Sequence, residues 1–317
     1  MAFVLQNIKD LLSIPDNTVM QLTLPASLLM FAVTVPWGRK TLMDITSLIF
    51  AVKGFGALLY PEAVNFWFKK GVADGLHLQE IRDIGIILMA LAFTHFMTRK
   101  SNDRTMEINL LWSRTMFFGA VFLLNAVRLI NYDSKKEKIS LYVEKLAALV
   151  TGLYFVAFLF YSLREDDWGG STEQSTSKTH FHLRIDFVMF FVHGIIAYCF
   201  PEFIATFQTK LSSLDPLHDY TARLMGAGFL ALGMSSGRAN NCHHEEDKKS
   251  VLLGHGLANG LFFLTMLLCQ LFSDIFSQWH VYGMCIVLLA AVNDFVGCEI
   301  NAMVQNFKRE LSSTKEE

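Results

Sequence analysis

The residues that could carry chemistry in this chain are ionisable side chains inside long apolar runs. A charged group surrounded by lipid is unfavourable unless it is paired, so such residues are candidates for an ion pathway, a proton relay or a ligand pocket. Besides Lys53 and His193, these residues lie within the runs or near their ends: Asp44, His95, Arg114, His255, Asp294 and Glu299. Of these, His95, His255 and Asp294 could serve a membrane enzyme or ion pathway, although no sequence motif joins them.

The motifs of common catalytic sites do not occur in the sequence. It has no nucleophile elbow, phosphate loop, dinucleotide fingerprint or His-Glu-x-x-His pattern. Residues 242–247 (Cys-His-His-Glu-Glu-Asp) are of metal-ligand type, but zinc sites usually need two spaced pairs of ligands and this is one compact cluster. We interpret it as a solvated loop, with metal binding as the weaker alternative. The sequence therefore predicts no enzyme, no metal site and no cofactor.

The composition indicates that most of the chain is surrounded by lipid. Of 317 residues, 52% are hydrophobic and only 18% charged, against about 25% charged in an average soluble domain. The mean hydropathy is +0.36. These values exclude a disordered chain, a coiled-coil rod and a small disulfide scaffold, and the net charge of −2 argues against a nucleic-acid partner. The five cysteines are odd in number, which favours packing over disulfide bonding.

Apolar runs in the sequence are long enough to cross a bilayer. A hydrocarbon core of about 30 Å needs about 20 helical residues, and the runs lack the alternating polarity of barrel strands. We therefore predict an all-α, polytopic integral membrane protein with eight transmembrane helices. The runs cover residues 42–60, 81–97, 108–130, 142–163, 183–200, 220–236, 251–272 and 280–300.

The position of the N-terminal segment and the orientation of the chain in the membrane follow less directly from the sequence. Residues 19–35 are apolar but contain Pro25 and are followed by Pro36, so we expect them to lie in the membrane interface, with a ninth span as the alternative. Lys and Arg are in excess on the side that also holds the N terminus, which predicts that both termini are cytosolic. Lys135, Lys136 and Lys138 fall on the opposite side and argue against this orientation.

The chain repeats itself at a spacing near 140 residues. Four helices in each half would give a parallel repeat, in which both halves enter the membrane in the same direction. The predicted organisation is an N-terminal cytosolic or interfacial segment (1–41), a four-helix repeat (42–163), a polar linker (164–182), a second four-helix repeat (183–303) and a cytosolic tail (304–317). The landmarks that return are Lys53-Gly54 as His193-Gly194, Tyr60-Pro61-Glu62 as Phe200-Pro201-Glu202, Leu76-His77 as Leu217-His218, Arg82-x-x-Gly85 as Arg223-x-x-Gly226, and Leu110-Leu111 as Leu252-Leu253.

Short amphipathic segments follow the first span of each half. Proline and then glutamate suit the start of a helix, and the apolar face that follows predicts a short helix in the headgroup plane. An ordinary ordered loop is the alternative. The expected interfacial residues are Trp67, Phe203 and Phe207.

Matched polar positions in the two halves are either structural or ligand-facing. We expect Arg82 and Arg223 to snorkel, or to pair with the glutamate of their own half; binding of an anion or a lipid headgroup is the alternative. The matched positions are Lys53 and His193, Glu62 and Glu202, and Arg82 and Arg223.

Glycines are concentrated in two neighbouring helices of the second half. Small residues allow helix backbones to approach closely in lipid, so these glycines predict tight packing, with Gly256-x-x-x-Gly260 as one contact. A ligand groove is the alternative. The glycines are Gly226, Gly228 and Gly233, then Gly254, Gly256 and Gly260.

The end of the first span, the amphipathic connector and the Arg-x-x-Gly that follows resemble the single unit of the p53-inducible protein 11 family. More loosely, they are similar to the DoxX-like four-helix membrane proteins. The residues that carry the resemblance are Tyr60, Pro61, Glu62, Arg82 and Gly85, and again Phe200, Pro201, Glu202, Arg223 and Gly226. Those families have one unit where this chain has two, so the resemblance implies a fused pair and no reaction.

Two classes of function fit the sequence better than an enzyme or ion pathway. The first is a non-catalytic accessory, assembly or scaffold subunit, whose partners would be membrane lipids and either another membrane protein or further copies of itself. The second is a protein that binds or carries a lipid or small hydrophobic molecule in a cleft between the halves, with Lys53, His193, Arg82 and Arg223 near its mouths.

Overall fold

The fold was analysed in a computed structural model that describes residues 26–64, 74–131, 141–165, 177–211 and 213–299. These residues form helices and no strands. The first half contains α1 (Ala26–Trp37), α2 (Arg39–Leu59), α3 (Pro61–Val64), α4 (Gly75–Thr98), α5 (Arg104–Ile130) and α6 (Leu141–Arg164). The second half contains α7 (Lys178–Cys199), α8 (Pro201–Gln208), α9 (Pro216–Ala239), α10 (Glu245–Phe272) and α11 (His280–Gly297).

Each of the eight apolar runs lies on a long helix, and three of them, 42–60, 183–200 and 280–300, extend one to three residues past the end of that helix. Seven of these helices in the described residues are long and apolar enough to cross a membrane: α2, α4, α5, α6, α7, α10 and α11. The exception is α9, which carries Asp219, Arg223 and Arg238 and is rich in glycine. It packs against α4, α5 and α7, and a helix surrounded by protein does not need an apolar surface of its own.

Aspartates and a serine fix the starts of several helices. The Asp74 side chain accepts hydrogen bonds from the backbone N–H groups of residues 76 and 77, and Asp215 does the same for residues 217 and 218. Asp103 caps α5, and Ser177 caps α7. Such caps satisfy N–H groups that have no partner inside the helix.

The described part of the N-terminal segment is too short to span a bilayer alone. The twelve residues of α1 extend about 18 Å, roughly half of a hydrocarbon core. The Phe31 ring lies 5.0 Å from that of Tyr154, and the Tyr161 hydroxyl donates to the Val35 carbonyl at 2.9 Å, so α1 packs against α6. Residues 1–25 lie outside the described residues, which leaves the ninth-span alternative open.

Two pairs of long helices pack together in each half of the chain. In the first half α2 packs against α4 and α5 against α6; in the second, α7 packs against α9 and α10 against α11. The halves meet through α4 and α9, which contact each other. In addition, α4 packs against α10, and α9 packs against α5.

Glycines lie where α4 and α9 approach their neighbours. A Cβ atom on Gly85 would come within 2.7 Å of the Gly54 carbonyl oxygen, and one on Gly226 within 2.5 Å of the Tyr198 backbone nitrogen. A Cβ on Gly228 would meet Ile87 at 2.6 Å, between α9 and α4. The predicted Gly256-x-x-x-Gly260 contact is wrong in its second member, because a Cβ on Gly260 would meet no atom within 4 Å.

Asp103 joins the connections that precede α5 and α10. Its carboxylate accepts from the Thr105 N–H at 2.9 Å, from the His243 N–H at 2.6 Å and from the His244 N–H at 3.2 Å. Burial raises the pKa of Asp103, but the hydrogen bonds from Thr105 and from these backbone groups outweigh it, so the pKa lies below its ordinary value.

Candidate functional site

A cleft of about 730 Å³, partly open to the surroundings, lies among the helices of the second half. Its walls come from α7, α8, α9, α10 and α11, and Asp83 of α4 reaches its edge. Most of the lining is apolar: Met189, Phe190, Ile204, Met225, Phe229, Phe262, Met266, Ile286, Val287 and Ala290. A smaller pocket shares Asp83, Ile204, Gln208, Met225 and Met266 with this cleft and continues from it towards Glu80 and His280.

A few polar side chains are placed around the apolar walls. His193 is half-buried, and its Nδ1 donates to the Met189 carbonyl of the preceding turn at 2.7 Å. Asp83 accepts from the Gln79 side-chain amide at 2.7 Å. Gln208 and Asn259 also line the cleft. This pattern of apolar walls with few polar groups is typical of sites for small hydrophobic or amphipathic molecules.

A buried polar network lies behind Asn259. The Asn259 amide donates to Asp294 Oδ2 at 2.8 Å, and Asp294 lies beside Asp186. His255 Nδ1 is 2.6 Å from Asp186 Oδ2, and the Ser236 hydroxyl donates to the same carboxylate. The fold therefore brings His255 and Asp294 into one network, which their sequence positions did not show.

His95 does not join this network. Its Nε2 lies 2.8 Å from Asp44 Oδ1, and Arg99 donates to Asp44 Oδ2 at 2.8 Å. The three residues considered for an ion pathway are thus divided between two places in the fold.

Packed aromatic rings lie among the helices of the first half, whereas the second half contains the cleft. Phe118 lies 141 positions before Asn259, and its ring stacks on those of Tyr154 and Phe158, at 4.9 and 5.5 Å. Phe50 lies 140 positions before the cleft residue Phe190, and its ring is 5.8 Å from that of Phe118. If the predicted repeat is applied at the 141-residue offset of Arg82 and Arg223, a large ring in the first half matches a small amide in the second.

The starts of α4 and α9 form a second constellation, which we call the Asp–His cluster: Asp74, His77, Asp215 and His218. The two imidazole rings are buried and stack with centroids 3.5 Å apart at an angle of 18°. Asp74 Oδ1 lies 3.1 Å from both His77 Nδ1 and His218 Nε2. Asp215 Oδ1 lies 3.5 Å from His77 Nε2 and 3.3 Å from His218 Nδ1.

The electrostatics of the Asp–His cluster favour an ionised Asp74. Burial raises the pKa of this carboxyl, but hydrogen bonds from the His77 backbone N–H and from the His218 ring outweigh that effect and hold the pKa below its ordinary value. One donor atom from each of Asp74, His77 and His218 lies within 4.8 Å of the others, which is a spacing that could hold a metal ion. In the sequence, Leu76-His77 and Leu217-His218 stand out only as landmarks of the predicted repeat. The missed signal was an aspartate three residues before each histidine, at the start of both helices.

The matched polar positions of the two halves are placed differently from one another. Of the four residues expected near the mouths of a cleft, His193 lines the cleft that the structure contains, whereas Lys53 lies on the exposed face of α2. Glu62 and Glu202 are exposed.

Of the two arrangements expected for Arg82 and Arg223, snorkelling or pairing with the glutamate of the same half, the pairing is not observed in the described residues. Arg223 donates to both oxygens of Asp219, at 2.8 and 3.0 Å, and to the Tyr198 carbonyl at 2.6 Å. Arg82 makes no ion pair with Glu62 among the described residues and lies near Asp83 and Cys269. Asp219 is one helical turn from Arg223, and this i, i+4 spacing favours the pair over a residue on another helix.

The short segment after the first span of the second half is helical, as expected. Phe203 and Phe207 of α8 are exposed, and the Phe207 ring lies 5.6 Å from that of Trp279. In the first half α3 begins at Pro61, but Trp67 lies outside the described residues.

The cysteine-containing loop has the character of a packed connection. Cys242 is buried, and burial raises the pKa of its thiol to about 12, so the thiolate that binds metals is disfavoured at neutral pH. The side chains of His243 and His244 are exposed. All five cysteines are free in the structure, and Cys199 and Cys285 are exposed.

Comparisons with known proteins identify a family but no activity. No curated protein matches the chain, and no solved structure does. A family model described as "Domain of unknown function (DUF8292)" matches residues 44–299, which include every described residue from α4 to α11. Because this match covers more than half of the chain, the protein belongs to the DUF8292 family, a family of unknown function.

Proposed function

We propose that this protein is a non-catalytic membrane protein that binds a lipid or another small hydrophobic molecule in the cleft of its second half. The observation that carries the proposal is an apolar cleft of about 730 Å³ with a few polar groups at its edges. That volume includes the part of the cleft that is open to its surroundings, so the feature that the cleft shares with small-molecule sites is its lining of apolar walls with few polar groups.

The chemistry of the walls favours a flexible, apolar ligand. Met189, Met225 and Met266 contribute unbranched thioethers that adapt to irregular shapes, and the phenylalanines supply rigid apolar faces. Asn259 and Gln208 can orient a polar end group, since an amide both donates and accepts hydrogen bonds. A ligand with an acyl chain or apolar ring and one small polar group would match this lining.

The difference between the halves supports a division of roles. Rings of Phe50, Phe118, Tyr154 and Phe158 fill the first half, and an aromatic stack of this kind rigidifies a bundle. We infer that the first half stabilises the assembly and that the second half binds the ligand.

We further propose eight spans, with α9 as the eighth, in two repeated halves that leave both termini in the cytosol. Matched contacts support the repeat: a Cβ on Gly54 would meet Met89 at 2.7 Å, and a Cβ on Gly194 would meet Leu230, 141 positions after Met89, at 2.8 Å. Two fused units would also agree with the resemblance to single-unit families.

A variant that fills the cleft tests the proposal. Ala290 is buried and lines the cleft, whereas Val292, two positions further along α11, is 52% exposed. We expect Ala290→Phe to lose at least ten-fold of the amphiphile that co-purifies with wild type, measured by native mass spectrometry after mild detergent extraction. Val292→Phe should retain it. Equal retention by both variants, or no retained amphiphile on wild type, would contradict the proposal.

The accessory-subunit role remains a second hypothesis from the sequence. Exposed apolar residues of α10 such as Leu264, Leu268 and Leu271 can be covered by lipid or by partner helices alike. Purification in mild detergent distinguishes the two, because an accessory subunit should co-purify with a stoichiometric partner protein.

A further inference from the structure

The smaller pocket that continues from the cleft has carboxyl groups in its wall. Glu80, Asp83, Gln208 and His280 line it, and we call it the acidic pocket. Glu80 is only 5% exposed, and the Thr221 hydroxyl donates to its Oε2. Its Oε1 accepts no hydrogen bond from a described residue. A buried carboxyl oxygen without a partner is unfavourable, so the acidic pocket favours a bound group that donates hydrogen bonds.

The acidic pocket offers more hydrogen-bond acceptors than donors. The Gln79 side-chain amide already donates to Asp83 at 2.7 Å, and the Thr209 hydroxyl donates to a backbone carbonyl at 2.6 Å. His280 is buried, and its Nδ1 donates to the Gln270 side-chain oxygen at 2.9 Å, which leaves Nε2 as an acceptor. A protonated amine has several donors and no acceptor, so it matches such a wall.

The charges around the acidic pocket also favour a cation. Asp83, Asp74 and Asp215 are all close enough to Glu80 to act on it electrostatically. No Lys or Arg of the described part of the chain lines the acidic pocket or the cleft. Arg82 is close enough to act on Asp83 but lies outside both. Buried carboxylates are stable when an opposite charge is near, so a positively charged ligand group is favoured here and an anionic one is disfavoured.

The acidic pocket lies at one end of the helices, and the cleft extends from it towards their middle. Glu80 lies five residues after the start of α4, and His280 is the first residue of α11. The end of α8 is at the same place, because the Ser277 N–H donates to the Gln208 carbonyl at 2.9 Å. Ala290 of the cleft lies ten residues after the start of α11, which is about 15 Å deeper, or half of a hydrocarbon core. This depth order matches the head group and the chain of an amphiphile.

We propose that the ligand of the cleft is an amphiphile with a protonated amine, which Glu80 and Asp83 bind in the acidic pocket while the apolar chain lies in the cleft. This inference rests on the proposed function and names the class of ligand. The ammonium group donates to Glu80 Oε1 and to the Asp83 carboxylate, and Gln208 or His280 Nε2 accepts its remaining hydrogen. Charge-assisted hydrogen bonds are about twice as strong as neutral ones, so the charge of the head group determines which amphiphile binds most tightly.

Binding of three amphiphiles with the same chain length tests the inference. Hexadecylamine, hexadecanol and hexadecanoic acid are titrated separately into the purified full chain in a non-ionic detergent at pH 7, and native mass spectrometry measures the bound fraction. We expect hexadecylamine to bind wild type about ten-fold more tightly than either of the others. Glu80→Gln and Asp83→Asn should each remove most of this preference, because each replaces a carboxylate with a neutral amide. Retained binding of hexadecanol shows that a variant is folded.

Matched variants separate the acidic pocket from surface charge and from the cleft. Glu202 is exposed on α8 and lines neither the cleft nor the acidic pocket, so Glu202→Gln should keep the preference for the amine. Ala290→Phe should weaken binding of all three amphiphiles.

The possible failures of this inference and of the proposed function can be distinguished. Equal affinity of wild type for the three amphiphiles, or a preference for the acid, would overturn the amine inference and leave the proposed function standing. No binding of any amphiphile would refute both. An unchanged preference in both Glu80→Gln and Asp83→Asn, or a lost preference in Glu202→Gln, would show that other groups select the amine and would overturn the inference.

Discussion

Arg114 is the largest side chain that is fully buried in the described residues. It donates to the Ser47 hydroxyl and to the Leu91 carbonyl, both at 2.9 Å, and its guanidinium lies 4.5 Å from the centre of the Phe50 ring. No carboxylate of the described residues forms an ion pair with it. A buried charge without an opposite charge is costly, and an apolar residue of similar length often replaces it without loss.

We therefore expect the free energy of unfolding of Arg114→Met to lie within about 1 kcal/mol of the wild-type value or above it. Arg114→Ala should lose about 2–5 kcal/mol, because it leaves a cavity. Unfolding followed over increasing concentrations of a denaturing detergent measures the free energy of unfolding of both variants. If Met proves as destabilising as Ala, the hydrogen bonds of Arg114 matter more than its desolvation.

Asp103 gives a pH-dependent prediction at the same scale. Its folded-state pKa is lowered, so the stability it contributes is present above the unfolded pKa of about 3.9 and is lost as pH falls through the folded pKa. We expect Asp103→Ala to lower the free energy of unfolding by about 1–3 kcal/mol at pH 7. The difference from wild type should shrink below about pH 4. A difference that stays constant down to pH 3 would show that the charge of Asp103 is not what stabilises the connection.

At the scale of the element, α9 depends on close approach to its neighbours. Gly226→Ala would drive a Cβ into the Tyr198 backbone, and we expect a loss of about 1–3 kcal/mol. Gly260→Ala is the matched control: its Cβ meets nothing within 4 Å, and alanine is favoured over glycine in a helix by up to about 1 kcal/mol. Melting temperatures in one detergent compare them, and equal shifts would refute the packing role of Gly226.

The positions of the helices could be predicted from the sequence more readily than the contacts between them. The apolar runs located every long helix of the described residues, because a helix surrounded by lipid or by other helices carries its signal in its own residues, and the amphipathic ends, such as residues 75–80, were missed. The open space beside Gly260 and the convergence of His77 with His218 depend on how separate helices meet. The pair of Arg223 with Asp219 lies within one helix, and its i, i+4 spacing could have been found in the sequence. The stacking of Phe118 on Tyr154 and Phe158 also joins residues of two helices, so the sequence did not indicate which half would be packed with aromatic rings.

At the scale of the whole molecule, the eight-span proposal fixes where the two ends of α9 lie. In a variant without the five native cysteines, we expect Ser213→Cys and His243→Cys to react with an impermeant maleimide from opposite sides of sealed vesicles. Both positions are exposed and flank α9. Labelling of both from one side would mean that α9 does not cross, which would leave the termini on opposite sides.

A density map of the protein in lipid nanodiscs, prepared without added ligand, tests most directly whether the cleft binds a small hydrophobic molecule. We expect an elongated density between Phe190, Phe229 and Phe262, with its polar end towards Asn259 or Gln208. A cleft that has collapsed onto itself, or one that contains only water, would contradict the proposed ligand-binding role.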